Sequence, residues 1–346
     1  MFKKLLAKTL DHLGITFLFS ERSKVFHYKP SVGFPSDDFE AFYQAPEVPE
    51  VRMSPQMNRP DGYEFGRFEF ESPLLSTHPE NDGARGEYYI RHDQKPAGRV
   101  NVVIVHGWRM EHLQRVHKMF TKTFQKAGYD LYFPTVPYHF DRALPGSYSG
   151  EYLVTADLDH SLQSLRQTTA EIRALIRWIK QARGGKVVVI GVSMGGYFSN
   201  MMALCEEEAD YVISVMYGNS LVHAIWHTRI GRHIRADLEQ GGMTLPELED
   251  RLRMTEPSRW QPKVPKENIL FLHGLYDVYI PPRDTNPLWE AWGRPDRVLY
   301  PCGHAGIVLY RRQMARDVLH WLQEKFQNEP EPVRVLQEAA AVGKFL

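Results

Sequence analysis

Cysteine is scarce in this sequence. Cys205 and Cys302 are the two present among 346 residues, too few for a disulfide framework and suited to a reducing, cytoplasmic setting. No charge sign is in excess, since Lys+Arg and Asp+Glu both number 42. That balance removes the basic footprint of a nucleic-acid binder. No apolar run approaches the roughly 18 residues of a membrane span. Apolar residues make up 43% and aromatics 12%, enough for a sizeable core, so a wholly disordered chain is excluded. The length fits one large domain or two ordinary ones.

The start, Met1-Phe2-Lys3-Lys4-Leu5-Leu6, resembles a signal peptide, but Lys8 and Asp11 interrupt the apolar stretch and no small-residue cleavage site follows. Residues 1–20 therefore read as an amphipathic helix. The plainer expectation is that it packs on the body; the rival is peripheral contact with a membrane surface. Residues 29–62 hold Pro30, Pro35, Pro46, Pro49, Pro55 and Pro60 and read as a connector wrapping the surface.

Beyond it the periodicity becomes regular. Tyr63–Glu71 and Gly86–Arg91 alternate as antiparallel strands do. Val100–Val105 is apolar almost throughout, as expected of a strand covered on both faces. Leu113, Val116, Phe120 and Phe124 recur at helical spacing, and Leu158 to Ile179 marks a long helix ending at Gly184-Gly185. Strands are expected at Tyr129–Thr135, Lys186–Ile190, Asp210–Met216, Ile269–Leu272 and Arg297–Tyr300, and a closing helix at Ile307–Phe326. This alternation predicts an α/β fold with a mostly parallel central sheet and helices on both faces. The unusually long interval between Met216 and Ile269 predicts a helical lid insertion, about 219–266, with helical stretches at Leu221–Leu238 and Leu245–Leu252. The predicted divisions are an extension over 1–62, a main domain over 63–327 and a tail over 328–346.

The segment Val187–Gly196 runs from a buried strand through Gly191-Val192-Ser193-Met194-Gly195 into a helix-compatible stretch. A serine on so tight a turn projects its hydroxyl above the sheet, and glycine is needed two positions to either side. The bland alternative is a glycine-rich turn with a bystander serine. A hydroxyl nucleophile needs a base, and the base needs an orienting acid. Asp277 follows the strand ending in His273-Gly274, and His304 sits in Pro301-Cys302-Gly303-His304 after the last strand. Both positions are strand ends, where open α/β sheets place their sites. Asp284 is a rival acid. Gly218-Asn219-Ser220, after the Asp210–Met216 strand, carries no carboxylate, which favours Asp277.

With Val-Ile-Val-His-Gly-Trp at 103–108, Gly-Val-Ser-Met-Gly-Gly at 191–196, His-Gly-Leu-Tyr-Asp at 273–277 and Gly-His at 303–304, the chain resembles a serine α/β-hydrolase over roughly 63–327. Within that superfamily it is most similar to the abhydrolase domain-containing 18 and dienelactone-hydrolase-like branches. The resemblance implies a triad of Ser193, His304 and Asp277, and an oxyanion hole formed by the backbone N–H groups of Met194 and Trp108. His106 is read as structural, holding that loop. The triple-glycine loop of many lipases is absent.

Tyr138 and His139 follow a strand and are pocket candidates; ordinary aromatic packing is the equal alternative. Trp226, Trp260 and the methionines of the insertion are expected to form a small core of the lid. His223 and His227, four apart, could share a helix face, but without a His-Glu-x-x-His pattern no metal site is expected. No cofactor is expected either. The expected partner is a small-molecule acyl ester or thioester, with a carboxylesterase-like hydrolysis. A peptidase or acyltransferase with the same triad, and a non-catalytic binding protein on the same fold, remain alternatives.

Overall fold

The computed structural model describes residues 2–18, 24–28 and 38–328. The expected tail lies outside these residues from 329 onward. So does most of the first half of the expected connector.

Nine strands form one sheet in the order β1-β2-β3-β5-β4-β6-β7-β8-β9. These are β1 (Arg52–Asn58), β2 (Glu64–Glu71), β3 (Gly83–Ile90), β4 (Val100–Val105), β5 (Asp130–Pro134), β6 (Lys186–Val192), β7 (Tyr211–Val215), β8 (Ile269–Gly274) and β9 (Asp296–Tyr300). Strands β1, β2, β3 and β5 pair antiparallel in turn. Every pair from β5 through β9 is parallel.

The unbroken apolar character of β4 and β6 has a direct cause. Val103, Val105, Val187 and Val189 enter one core, and Val102, Ile104, Val188 and Ile190 enter the other. The first core is covered by α4 (Leu158–Arg183) and α5 (Met194–Cys205), the second by α3 (Gln114–Lys126) and α10 (Ile307–Asn328). The long helix α4 stops at Gly184, which takes the left-handed φ of 68° that glycine adopts without strain.

Three features depart from the sequence reading. Residues 52–58, read as connector, form the edge strand β1. Nearly all of it is exposed, so no alternating pattern was required of it, and its pairing with β2 shifts register between Pro55 and Met57. An edge position and a bulge are where proline is tolerated in a sheet. The stretch Leu221–Leu238 is two helices, α6 (Leu221–His227) and α7 (Arg232–Gln240). Gly231 lies at the junction, where a Cβ would stand 2.3 Å from the Ile225 Cα. A further helix, α9 (Pro282–Ala291), was not expected, because Pro287 sits inside it.

The interval between β7 and β8 holds α6, α7 and α8 (Leu245–Arg251). Trp226 and Trp260 pack against the main core, with Trp260 4.7 Å from the ring of Phe39, rather than forming a core of their own. The N-terminal helix α1 (Phe2–Leu18) packs on the body through Ala7, Asp11 and Ile15. Its other side leaves Leu6, Leu10, Leu13 and Phe17 exposed. Among the described residues, no helix is long and apolar enough to cross a membrane.

Candidate active site

Ser193 joins β6 to α5 with φ 59° and ψ −117°, a conformation rare for a side-chain-bearing residue. Its N–H donates to the Val215 carbonyl at 2.8 Å, fixing the turn to the neighbouring strand. The glycines on either side are sterically compelled. A Cβ on Gly191 would lie 1.9 Å from the Gly195 carbonyl oxygen, and one on Gly195 would lie 2.1 Å from the Val105 oxygen. Both obstacles are backbone, which cannot swing aside. The turn therefore holds the Ser193 hydroxyl at the C-terminal edge of the parallel strands, with the first turn of α5 behind it.

The other two side chains arrive from loops after β8 and β9. Ser193 Oγ and His304 Nε2 are 2.9 Å apart, and His304 Nδ1 is 2.8 Å from Asp277 Oδ2. The remaining Asp277 oxygen accepts the N–H groups of Tyr279 and Ile280 at 2.8 and 2.9 Å. With Asp277 buried as a carboxylate, Nδ1 of His304 carries a proton toward it. Nε2 is thereby left able to accept from the Ser193 hydroxyl. Burial works against a charged imidazole at His304, but the Asp277 carboxylate, together with Asp11 of α1, outweighs it, and the pKa lies above the usual histidine value. The arrangement can draw a proton from a hydroxyl and stabilise the resulting imidazolium.

A cavity of about 680 Å³ opens on Ser193 and His304, within the range of small-molecule sites. Its walls include Trp108, Met119, Met216, Leu221, Ile230, Ile280 and Val308. Its charged lining is basic (Arg115, Lys118, Arg311) apart from Asp284. Gly107, Trp108 and Met194 also face this space, and a Cβ on Gly107 would stand 3.2 Å from the Ser193 Cβ. The Trp108 loop is pinned on several sides. The Trp108 indole N–H donates to the Gly150 carbonyl at 2.6 Å, and Arg109 lies 3.6 Å over the Tyr148 ring. Buried His106 braces the same loop: Nε2 accepts the Val136 N–H at 3.0 Å, so Nδ1 donates to the Gly107 carbonyl at 2.9 Å. Burial holds its pKa down at about 4, consistent with this neutral, structural histidine. A larger depression of about 1140 Å³, beside residues 44–52, contains none of these side chains.

Tyr138 and His139 are not part of the cavity wall. Both are buried: Tyr138 stacks on Tyr152 and packs edge-on to His160, and His139 lies 4.8 Å from His106. Aromatic packing, the alternative, is what they do. Asp284 contacts the N–H groups of Asn219 and Ser220 at 2.9 and 3.0 Å rather than His304, and burial raises its pKa to about 6. It thus supplies, from α9, the carboxylate missing after β7. His223 and His227 do share a face of α6, 5.4 Å apart, but the Arg283 guanidinium donates to His223 Nε2 at 3.2 Å. That cation occupies the lone pair a metal would need. Among the described residues, no group of three or more His, Cys, Asp or Glu side chains could hold a metal ion. Cys205 and Cys302 are both free and buried.

The sequence reading missed one residue beside the site. Asp11 of α1 is fully buried against the backbone of residues 278, 304 and 305. The available signal was its isolation as the single carboxylate of an otherwise basic and apolar helix.

A family model described as "Alpha/beta hydrolase family" matches residues 102–342, and the chain belongs to that family. Its curated relatives include the uncharacterized protein YdjC of Bacillus subtilis, 46% identical over 114 residues, which are 33% of this chain and 98% of that protein. Another is the uncharacterized protein Rv2627c of Mycobacterium tuberculosis, 27% identical over 283 residues. That match takes in 78% of this chain and 66% of the mycobacterial protein, just under two thirds of its length. In fold, the chain is similar to acetyl xylan esterase 1 from Thermoanaerobacterium, with a TM-score of 0.63 at 15% identity, covering 89% of this chain and 98% of that one. It is also similar to the acylaminoacyl peptidase of Pyrococcus horikoshii, with a TM-score of 0.54 at 13% identity, covering 83% and 43%.

Proposed function

We propose that this protein is a serine hydrolase that cleaves a carboxylic ester or thioester through an acyl-enzyme. The observation that carries the proposal is the continuous hydrogen-bonded chain Ser193–His304–Asp277, with links of 2.9 and 2.8 Å, opening on a mostly apolar cavity.

Ser193 Oγ attacks the acyl carbon as its proton passes to His304 Nε2. Asp277 holds the imidazole in the required tautomer and stabilises its charged form. The oxygen that gains negative charge meets the backbone N–H groups of Met194 and Trp108, each such donor being worth on the order of 10²–10³ in rate. His304 then gives its proton to the departing alcohol or thiol. Water, deprotonated in turn by His304, attacks the acyl-enzyme, and the acid leaves with Ser193 regenerated. Because His304 must be neutral to act, kcat/KM rises with pH through its pKa.

The neighbours of known structure include an esterase and a peptidase, so the shared fold does not choose between ester and amide substrates. A panel of activated esters, thioesters, amides and acceptor alcohols separates hydrolase, peptidase and acyltransferase. Ser193→Ala should abolish turnover and labelling by a fluorophosphonate probe. Intact-mass detection of acylated Ser193, using p-nitrophenyl esters of graded length, reads mechanism and pocket depth together. Full activity in Ser193→Ala, or failure of every activated ester to acylate the wild type, overturns the proposal and leaves a binding protein.

The outward stripe Leu6, Leu10, Leu13 and Phe17 is flanked by exposed Lys4 and Lys8, and the helix's one carboxylate faces inward. We propose that this face rests on anionic lipid, where apolar and cationic side chains both gain. Co-sedimentation with phosphatidylserine vesicles should fall when Leu10 and Phe17 are replaced by Gln. Equal sedimentation of both forms, or assembly of this chain with itself through that stripe, counts against it.

A further inference from the structure

We propose that Asp11 is a positioning residue for His304, and that α1 is thereby a working part of the site. The inference rests on the assignment of His304 as the general base.

The contacts are specific. One Asp11 oxygen accepts the N–H groups of Val278 and His304 at 3.1 and 2.8 Å, and the other accepts the N–H of Ala305 at 2.9 Å. Val278 directly follows Asp277. A single buried carboxylate therefore ties the loop carrying the acid to the loop carrying the base. The 2.8 Å bond between Asp277 and His304 spans the same two loops. Asp11 thus restrains the backbone beneath the catalytic hydrogen bond without touching substrate or the reacting atoms.

The seat is shaped for this carboxylate. A Cβ on Gly303 would lie 2.5–2.6 Å from the Asp11 carboxylate atoms, so glycine there gives it room. On the helix side, a Cβ on Gly14 would stand 2.3 Å from the Tyr279 hydroxyl oxygen, so glycine there lets α1 come down onto Tyr279. Ile15 packs on the same Tyr279, whose ring lies parallel to His304, 4.6 Å away. Three elements of the helix (a carboxylate, a gap and an apolar contact) thus converge on one histidine.

Placing a second carboxylate near Asp277 is unfavourable in itself. Burial first, and Asp277 second, push the Asp11 pKa up, and the three N–H donors offset this in part. Such a cost, repaid by holding two loops together, is what a positioning role requires. The charge also has a readout. His304 interacts with Asp277, Asp11, His273 and the Tyr279 ring, and of these the two carboxylates favour its protonated form.

The test compares wild type with Asp11→Asn, in which an NH₂ group replaces one of the two accepting oxygens and the charge is lost. Expected are a fall in kcat of about tenfold or more with KM little changed, and a shift of the acid limb of kcat/KM to lower pH. Faster amide hydrogen exchange at His304 and Ala305 should accompany them. Gly14→Ala, which crowds the Tyr279 hydroxyl while keeping the carboxylate, should lower kcat in the same direction. Thr9→Gln, at an exposed position of α1, should leave soluble-ester kcat unchanged. An Asp11→Asn protein with wild-type kcat, pH limb and exchange overturns the inference. So does one that loses thermal stability and keeps the wild-type pH limb in its folded fraction. An inactive wild type that resists acylation instead removes the underlying assignment, so the two failures are distinguishable.

Discussion

The imidazole of His304 lies flat against the ring of Tyr279, with centroids 4.6 Å apart and planes 5° from parallel. The ring covers a face of the imidazole while both ring nitrogens stay engaged with Ser193 and Asp277. Tyr279→Leu keeps an apolar surface for Ile15 and removes the flat one. An aromatic pair contributes about 0.5–1.5 kcal/mol beyond its burial. We expect kcat to fall by roughly 2–12-fold on that basis, with KM nearly unchanged. Steady-state kinetics on a soluble ester checks this.

The two buried carboxylates after β8 predict very different phenotypes. Asp277→Asn leaves the geometry but presents an amide to His304 Nδ1, favouring the wrong tautomer, at a cost of about 10⁴ in kcat. Asp284→Asn touches the backbone of residues 219–220 and not the histidine. It should cost less than about tenfold. Comparable losses in the two variants would refute the assignment of Asp277 as the orienting acid.

The basic lining of the cavity gives a prediction about substrate charge. Arg115, Lys118 and Arg311 reach it from α3 and α10. Attraction between exposed charges weakens with salt. An ester bearing a carboxylate or phosphate should therefore lose kcat/KM as ionic strength rises, while a neutral ester of equal size should not. Arg115→Gln combined with Lys118→Gln should flatten that dependence.

Stability should fall on mild acidification. Burial holds His106 and His273 near pKa 4, and His139 is pushed down as well. The unfolded chain binds protons at these sites below about pH 6.5, where the folded protein does not. Stability from each is complete above that pH and is lost as pH falls toward 4, at up to about 1.4 kcal/mol per pH unit per group. His304, Asp11 and Asp284 act in the opposite sense, because their folded pKa values are raised. The buried imidazoles outnumber them between pH 6.5 and 6, before Asp284 contributes fully. Thermal melts should show a lower Tm at pH 6 than at pH 7, and His106→Gln should reduce the difference.

The parallel part of the sheet was readable because β4 and β6 are buried on both faces, which demands apolar residues at successive positions. Strand β1 was not, because an exposed edge imposes no such demand and Pro55 argues against it. Ser193, Asp277 and His304 were legible because each follows a strand end, and their chemistry needs particular residue types. Tyr138 and His139 were misplaced for a related reason: a position after a strand does not fix which way a ring turns. Asp11 was invisible as a site residue because its partners are backbone N–H groups, 267–294 residues away, which leave no side-chain signature.

The clamp on His304 joins segments 293 residues apart in the chain. A growing chain has extruded Asp11 long before residues 303–305 exist to receive it. Until then the helix carries a carboxylate without its three donors, and Ala7 and Ile15 without cover. Completion of the clamp is therefore a late event of folding, because it waits on the loop after β9.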